Sequence, residues 1–229
     1  MAKSYTNKYK NKGQESGQAP FAVVEAYKSI RTNLLFSLSQ DNENIVCISS
    51  SIPGEGKSSC AVNLAIAFSQ LNNKVLLIDA DLRRPSVYRK LKLQNNNGLS
   101  SVLVGFCNLA DATQHINPNF DVLTSGPIPP NPAELLESEN MKKLLISLSK
   151  IYNYIIIDTP PINVVTDAMV IAKQTSGIVL VAKNRDTTHE QLNKAFETIS
   201  FSNIRLLGVV LNDSSYTPSK YNKYKGYRY

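Results

Sequence analysis

The sequence predicts an α/β fold in which a mostly parallel central sheet is flanked by helices. Three observations carry that reading. Five short runs at 45–49 (Ile-Val-Cys-Ile-Ser), 75–79 (Val-Leu-Leu-Ile-Asp), 154–158 (Tyr-Ile-Ile-Ile-Asp), 178–182 (Ile-Val-Leu-Val-Ala) and 206–211 (Leu-Leu-Gly-Val-Val-Leu) are apolar instead of alternating, the pattern of strands buried on both faces. Segments of helical character separate them, and a crossover helix is what joins parallel strands. Two of the runs end in a carboxylate, Asp79 and Asp158, at the strand ends beyond which such sheets bind their ligands.

Along the chain, residues 1–19 are polar, contain Gly13 and Gly17, lack apolar periodicity, and are expected to form a flexible basic arm. From Phe21 to about Ser39, Val24, Tyr27, Ile30, Leu34, Leu35 and Leu38 recur at helical spacing and mark an amphipathic helix. A single domain is expected over 20–215, a length near the upper end for one core. Phe120 to Leu123 reads as a weaker strand before the Pro-rich turn Gly126 to Pro132. Residues 216–229 form an expected flexible tail in which Tyr216, Tyr221, Tyr224, Tyr227 and Tyr229 are five of the chain's 11 tyrosines.

The net charge of +7 resides in those ends, +3 over 1–20 and +4 over 216–229, while 17 bases and 17 acids balance between them. A neutral body with two basic ends argues against a nucleic-acid groove. No apolar run approaches the roughly 18 residues of a membrane span, and the start lacks a signal-like apolar stretch, so a cytoplasmic location is expected. Cys47, Cys60 and Cys107 are widely spaced among apolar residues and are expected to be reduced core thiols.

The chemistry concentrates at Ser51–Ser58, Ser-Ile-Pro-Gly-Glu-Gly-Lys-Ser, between the first strand and a helix expected from Ser58 to Leu71. That is the context of a phosphate-binding loop, and it makes the fold that of a P-loop NTPase. Gly54 and Gly56 let backbone N–H groups turn toward phosphate oxygens, the helix N-terminus adds its positive end, Lys57 adds a mobile charge, and Ser58 offers a hydroxyl to Mg²⁺. Ser51 replaces the first glycine of the usual pattern. Phosphoryl transfer also needs carboxylates, and Asp79, Asp81 and Asp158 supply them at two strand ends. Arg83, Arg84, Arg89, Lys90 and Lys92 follow; they either guide an acidic substrate, contact a neighbouring subunit, or form a solvated helix face.

Together, Glu-Ala-Tyr-Lys-Ser-Ile-Arg-Thr-Asn-Leu, Pro-Gly-Glu-Gly-Lys-Ser, Leu-Ile-Asp-Ala-Asp-Leu-Arg-Arg-Pro, Ile-Ile-Asp-Thr-Pro-Pro and the tyrosine-rich end resemble the bacterial tyrosine kinases of capsule and exopolysaccharide assembly, in particular the separate cytoplasmic kinases of Gram-positive bacteria. The resemblance spans nearly the whole chain. It implies a ParA- and MinD-like fold, and an enzyme that uses ATP and Mg²⁺ to phosphorylate its own terminal tyrosines in trans. By position it assigns Pro53, Gly54, Glu55, Gly56, Lys57, Ser58 and Ser59 to the nucleotide and Asn212 to its adenine. It assigns Ser58, Asp79, Asp81 and Asp158 to the metal, with Lys57, Asp79 and Asp81 catalytic and Asp79 the base for a tyrosine hydroxyl. It also implies a ring, an octamer, assembled through Glu25, Lys28 and Arg31, where Lys28 keeps the charge of the family's arginine but loses its fork. A membrane-anchored activator would recruit the chain to the inner face of the plasma membrane, and other cytoplasmic proteins would be further substrates. The alternative is a ParA- or MinD-like ATPase switch without kinase activity. Against it stands Ile52, where such switches carry a lysine.

Overall fold

The period-two pattern hidden inside each apolar run decides the architecture. In the computed structural model, which describes residues 21–38 and 44–213, Val46, Ile48, Val75, Leu77, Ile156, Val179 and Val181 point into one core. Cys47, Leu76, Ile78, Ile155, Ile157, Ile178 and Leu180 point into another on the opposite face. Successive strand side chains face opposite ways, so strands apolar at every position need helices on both sides.

The elements run α1 (Phe21–Leu38), β1 (Ile45–Ser50), α2 (Lys57–Ser69), β2 (Val75–Asp79), α3 (Val87–Leu91), α4 (Leu99–Leu103), α5 (Leu109–Ala112), β3 (Thr113–Asn117), β4 (Phe120–Leu123), α6 (Pro132–Glu137), α7 (Glu139–Ser149), β5 (Tyr154–Asp158), α8 (Asp167–Ala172), β6 (Gly177–Lys183), α9 (His189–Phe201) and β7 (Leu206–Asn212). They build one sheet in the order β3-β4-β2-β5-β1-β6-β7. Every pairing is parallel except β3 with β4. Helices α1, α2 and α3 cover one face through Leu34, Leu38, Phe68 and Val87. Helices α4, α6, α7, α8 and α9 cover the other through Leu103, Leu136, Leu145, Ile171 and Ile199.

The β1–β5–β2 centre positions the site. Ile48 pairs with Asp158 and Asp79 pairs with Asp158, so the carboxylates of two strands and the start of the phosphate loop emerge together at the carboxyl edge.

Two expectations need correction, and one strand was not anticipated. That strand is β3, whose Thr-Gln-His-Ile-Asn gives no apolar run; it adds antiparallel to β4 through a short turn in which Asn117 Oδ1 accepts a hydrogen bond from the Asn119 N–H. Strand β7 is not buried on both faces: Leu206, Val209 and Leu211 are 39%, 44% and 56% exposed. It is the last strand of the sheet, and only Leu207 and Val210 pack against the core. Cys107 is only half-buried, because it lies in the connection between α4 and α5; Cys47 on β1 and Cys60 on α2 are buried free thiols as expected. The arm 1–19 and the tail 216–229, with its five tyrosines, lie outside the described residues.

Candidate active site

The loop between β1 and α2 is held from behind by its own glutamate. Glu55 is buried, and its carboxylate accepts hydrogen bonds from the Ile52 N–H at 2.9 Å and from the Thr187 hydroxyl. Thr187 Oγ1 in turn accepts from the Lys183 N–H at 2.7 Å, which ties the loop to the turn between β6 and α9. Of the expected nucleotide contacts, Glu55 therefore presents backbone and not its carboxylate. Gly54 and Gly56 adopt φ values of 89° and 91°, the left-handed region that glycine enters without strain. Asn212, at the end of β7, donates from Nδ2 to the Glu55 carbonyl at 2.9 Å. A Cβ on Gly56 would lie 2.1 Å from that nitrogen, so Asn212 packs directly on the glycine backbone. Beyond Gly56 the first turn of α2 begins at Lys57, where helix N–H groups lack intrahelical acceptors and suit an anion.

Lys57 gathers the charges. Its ammonium lies 2.8 Å from Asp81 Oδ2, 3.3 Å from Ser58 Oγ and 3.8 Å from Asp158 Oδ1. Burial alone lowers the Lys57 pKa, but the negative charges of Asp158 and Asp81 outweigh it and the net shift is upward.

The three carboxylates differ. Asp81 lines the open cleft, and its Oδ1 accepts the Arg84 N–H at 3.0 Å. Asp79 is wholly buried: its Oδ1 accepts from the Asp81 N–H at 3.2 Å, and its Oδ2 from the N–H groups of Ser86 and Val87 at 3.2 and 3.0 Å. Burial first, and the Asp158 charge second, push its pKa up to about 8. Asp158 is also fully buried, and burial raises its pKa against the opposing Lys57 charge. Both Asp158 oxygens lack a hydrogen-bond partner.

A buried carboxylate with two unsatisfied oxygens beside a serine hydroxyl is a fitting donor set for Mg²⁺, which takes few protein oxygens and completes its shell with water and phosphate. Among the described residues no three His, Cys, Asp or Glu side chains converge as a closed metal cage.

The cleft in front of these groups has a volume of about 690 Å³. Pro53, Gly54, Lys57 and Ser58 line one side, Arg83, Arg84 and Lys90 another, and Pro160, Pro161, Val164 and Val165 a third. Arg83 joins two of these walls: its Nε and Nη2 donate to Asp167 Oδ2 and Oδ1 at 2.8 and 3.0 Å, and Asp167 is fully buried at the start of α8. Asp167, Thr187 and the Pro160–Val165 wall were not singled out from the sequence. The two prolines adjoin Asp158 in sequence, but nothing local marks a partner 84 residues from Arg83.

The expected interface residues lie on α1, away from the cleft. Glu25 pairs with Lys28 of its own helix at 2.8 Å, and Arg31 Nη1 donates to the Ala67 carbonyl of α2.

A glycine-rich loop at a helix N-terminus, a lysine within 4 Å of two carboxylates and an open cleft in front of them fit phosphoryl transfer. Comparison with known proteins decides the family. The profile of the AAA domain family matches residues 43–205. The tyrosine-protein kinase YwqD of Bacillus subtilis (strain 168) is 42% identical over 226 residues, covering 95% of this chain and 94% of that one. This chain belongs to the bacterial tyrosine-protein kinases. The kinase domain of the Escherichia coli tyrosine kinase ETK superposes on this bacterial tyrosine kinase with a TM-score of 0.80 at 30% identity, over 95% of this chain and 90% of that domain. A ParA family ATPase from Chlorobium tepidum TLS, at 18% identity, TM-score 0.63 and 77% of each chain, shares the fold, which is that of the ParA-like P-loop proteins. No helix among the described residues is long and apolar enough to cross a membrane.

Proposed function

We propose that this kinase transfers the γ-phosphoryl group of ATP to the terminal tyrosines Tyr216, Tyr221, Tyr224, Tyr227 and Tyr229 of a neighbouring copy, and thereby regulates capsular or exopolysaccharide synthesis and export. The observation that carries the chemistry is Lys57, held between Asp81 and Asp158 at the rim of a cleft whose floor is the phosphate loop.

In this reading the loop N–H groups of 53–59 hold the nucleotide phosphates, and Lys57 leaves Asp81 to meet the charge that grows as the phosphoryl group moves. Asn212, already on the loop, borders the adenine side. Ser58 and Asp158, with Asp81 and Asp79 behind them, would hold Mg²⁺. Bound there, Mg²⁺ would supply positive charge against the phosphate oxygens. The phenolic oxygen forms the new P–O bond as the bond to the leaving ADP oxygen breaks, and the phenolic proton passes to a carboxylate. Asp79 is the proposed acceptor; to reach the hydroxyl it must release the Ser86 and Val87 N–H groups that now occupy its Oδ2.

Assembly into a ring, an octamer on the family pattern, would use Glu25, Lys28 and Arg31. Because Glu25 and Lys28 already pair within one helix, that contact exchanges a half-buried intrachain bridge for an interchain one and gains little free energy on its own. A membrane-anchored activator would recruit the chain from the cytoplasm to the inner membrane face and complete the nucleotide site, and other cytoplasmic proteins would be further tyrosine substrates. Transfer of label from γ-labelled ATP to the tail, present with the unaltered chain and absent with Lys57→Met, tests the reading. Release of phosphate to water without tail labelling would favour an ATPase switch.

A further inference from the structure

Five cations follow Asp81 in sequence, and the structure divides them. Arg83 is committed to Asp167 by its two-bond fork. The Lys90 ammonium donates to Ser59 Oγ at 2.9 Å. Arg89 donates to the Pro85 carbonyl at 2.9 Å and lies 5.5 Å from the Tyr88 ring centre. Lys92 does not line the cleft. Arg84 is different: it lines the cleft, its side chain is exposed, and its guanidinium has no partner among the described residues. Its backbone is nonetheless fixed, because the Arg84 N–H is held by Asp81 Oδ1 at 3.0 Å. A free planar fork is thus anchored beside the cleft's own carboxylate.

We propose that Arg84 is a subsite for a tyrosine phosphate located three residues from the tyrosine being phosphorylated, so that the cleft prefers a partly phosphorylated tail over an unmodified one. The proposal rests on the reading above that the tail is the substrate, and it names which form of that substrate the site selects.

The chemistry of both sides supports it. Guanidinium matches a phosphate monoester with two parallel N–H donors, a geometry that an ammonium lacks. In the tail, Tyr221, Tyr224 and Tyr227 follow at intervals of three residues, an extended span of at most ~10 Å. The Arg84 N–H lies 3.0 Å from Asp81 Oδ1 and both residues line the cleft, so its guanidinium stands within a side chain's reach of that carboxylate, and a phosphate on one tyrosine can meet Arg84 while a neighbouring tyrosine faces the carboxylates. The unmodified tail carries a charge of +4 and gains nothing from a free arginine; each added phosphate brings nearly two negative charges. The first phosphorylation is therefore the slowest, and each one recruits the next, so tails fill as a group.

The test measures binding without turnover, and so is judged separately from whether the site transfers phosphate. Fluorescence anisotropy compares two labelled peptides of sequence 216–229, unmodified and phosphorylated at Tyr224, on the full chain loaded with Mg²⁺ and a non-hydrolysable ATP analogue. The phosphorylated peptide is expected to bind about tenfold more tightly, the worth of one charge-assisted fork. Arg84→Ala abolishes that preference, Arg84→Lys keeps part of it, and Arg89→Ala keeps it whole. Equal binding of the two peptides to the unaltered chain, or a preference that survives Arg84→Ala, overturns the proposal.

Discussion

Asp79 and Asp158 are register partners at the carboxyl ends of β2 and β5, so two fully buried carboxylates stand side by side. Each raises the proton affinity of the cluster, and Asp79 is shifted from 3.8 to about 8 by burial and by Asp158. A carboxyl whose folded pKa exceeds its unfolded value binds more protons in the folded state. Its stabilising contribution is complete below 3.8 and lost as pH rises toward about 8. The metal-free chain should therefore lose thermal stability across that interval. Asp158→Asn, which relieves the repulsion between two adjacent buried carboxylates and leaves Lys57 its closer partner Asp81, should melt a few degrees higher at pH 8 and match the unaltered chain below pH 4. Scanning calorimetry in chelator reads both, and added Mg²⁺ with ATP should stabilise the unaltered chain but not the variant.

Gly56 is required twice, by its φ of 91° and by Asn212 lying against its backbone. Gly56→Ala should weaken ATP binding at least tenfold, as left-handed strain of about 1–2 kcal/mol adds to the clash. Combining it with Asn212→Ala should recover only part of the loss, since the clash is relieved and the strain is not. Isothermal titration of the single and double variants separates the two contributions.

The Arg83–Asp167 fork fixes the loop after β2 to the start of α8. Arg83→Ala leaves Asp167 buried without its cation, at a cost of about 2 kcal/mol once the partial exposure of Arg83 is allowed for. Urea titration should show that loss, and Arg83→Ala with Asp167→Ala together should be less destabilised than Arg83→Ala alone.

Burial pushes the thiols of Cys47 and Cys60 up to about 12, so neither forms appreciable thiolate at pH 8. Mass spectrometry after brief alkylation should find Cys107 modified first, and the other two only after unfolding.

Much of this was legible in the sequence because it is local. Runs such as Val-Leu-Leu-Ile-Asp declare a doubly covered strand and its terminal carboxylate in one phrase, and Gly-Glu-Gly-Lys-Ser at a strand-to-helix junction declares an anion site. What escaped is set by packing. The pairing of Arg83 with Asp167, the capture of the Glu55 carboxylate by Thr187, and the seat of Asn212 on Gly56 join residues far apart in sequence. The open face of β7 escaped for the same reason: Leu-Leu-Gly-Val-Val-Leu reads as a central strand, and only the sheet order makes it an edge. Strand β3 has no apolar pattern to find, since His115 and Asn117 face solvent.

The most direct test of the account is a mixture. Full-length Lys57→Met chain, which retains its tail, is incubated with an active chain truncated after residue 215, Mg²⁺, ATP and a cytoplasmic fragment of the activator, and tail phosphotyrosines are read by mass spectrometry. The account predicts phosphate on the Lys57→Met tail in the mixture and none on the Lys57→Met chain alone. Phosphotyrosine on the Lys57→Met chain alone, or an unmodified tail in the mixture, would contradict it.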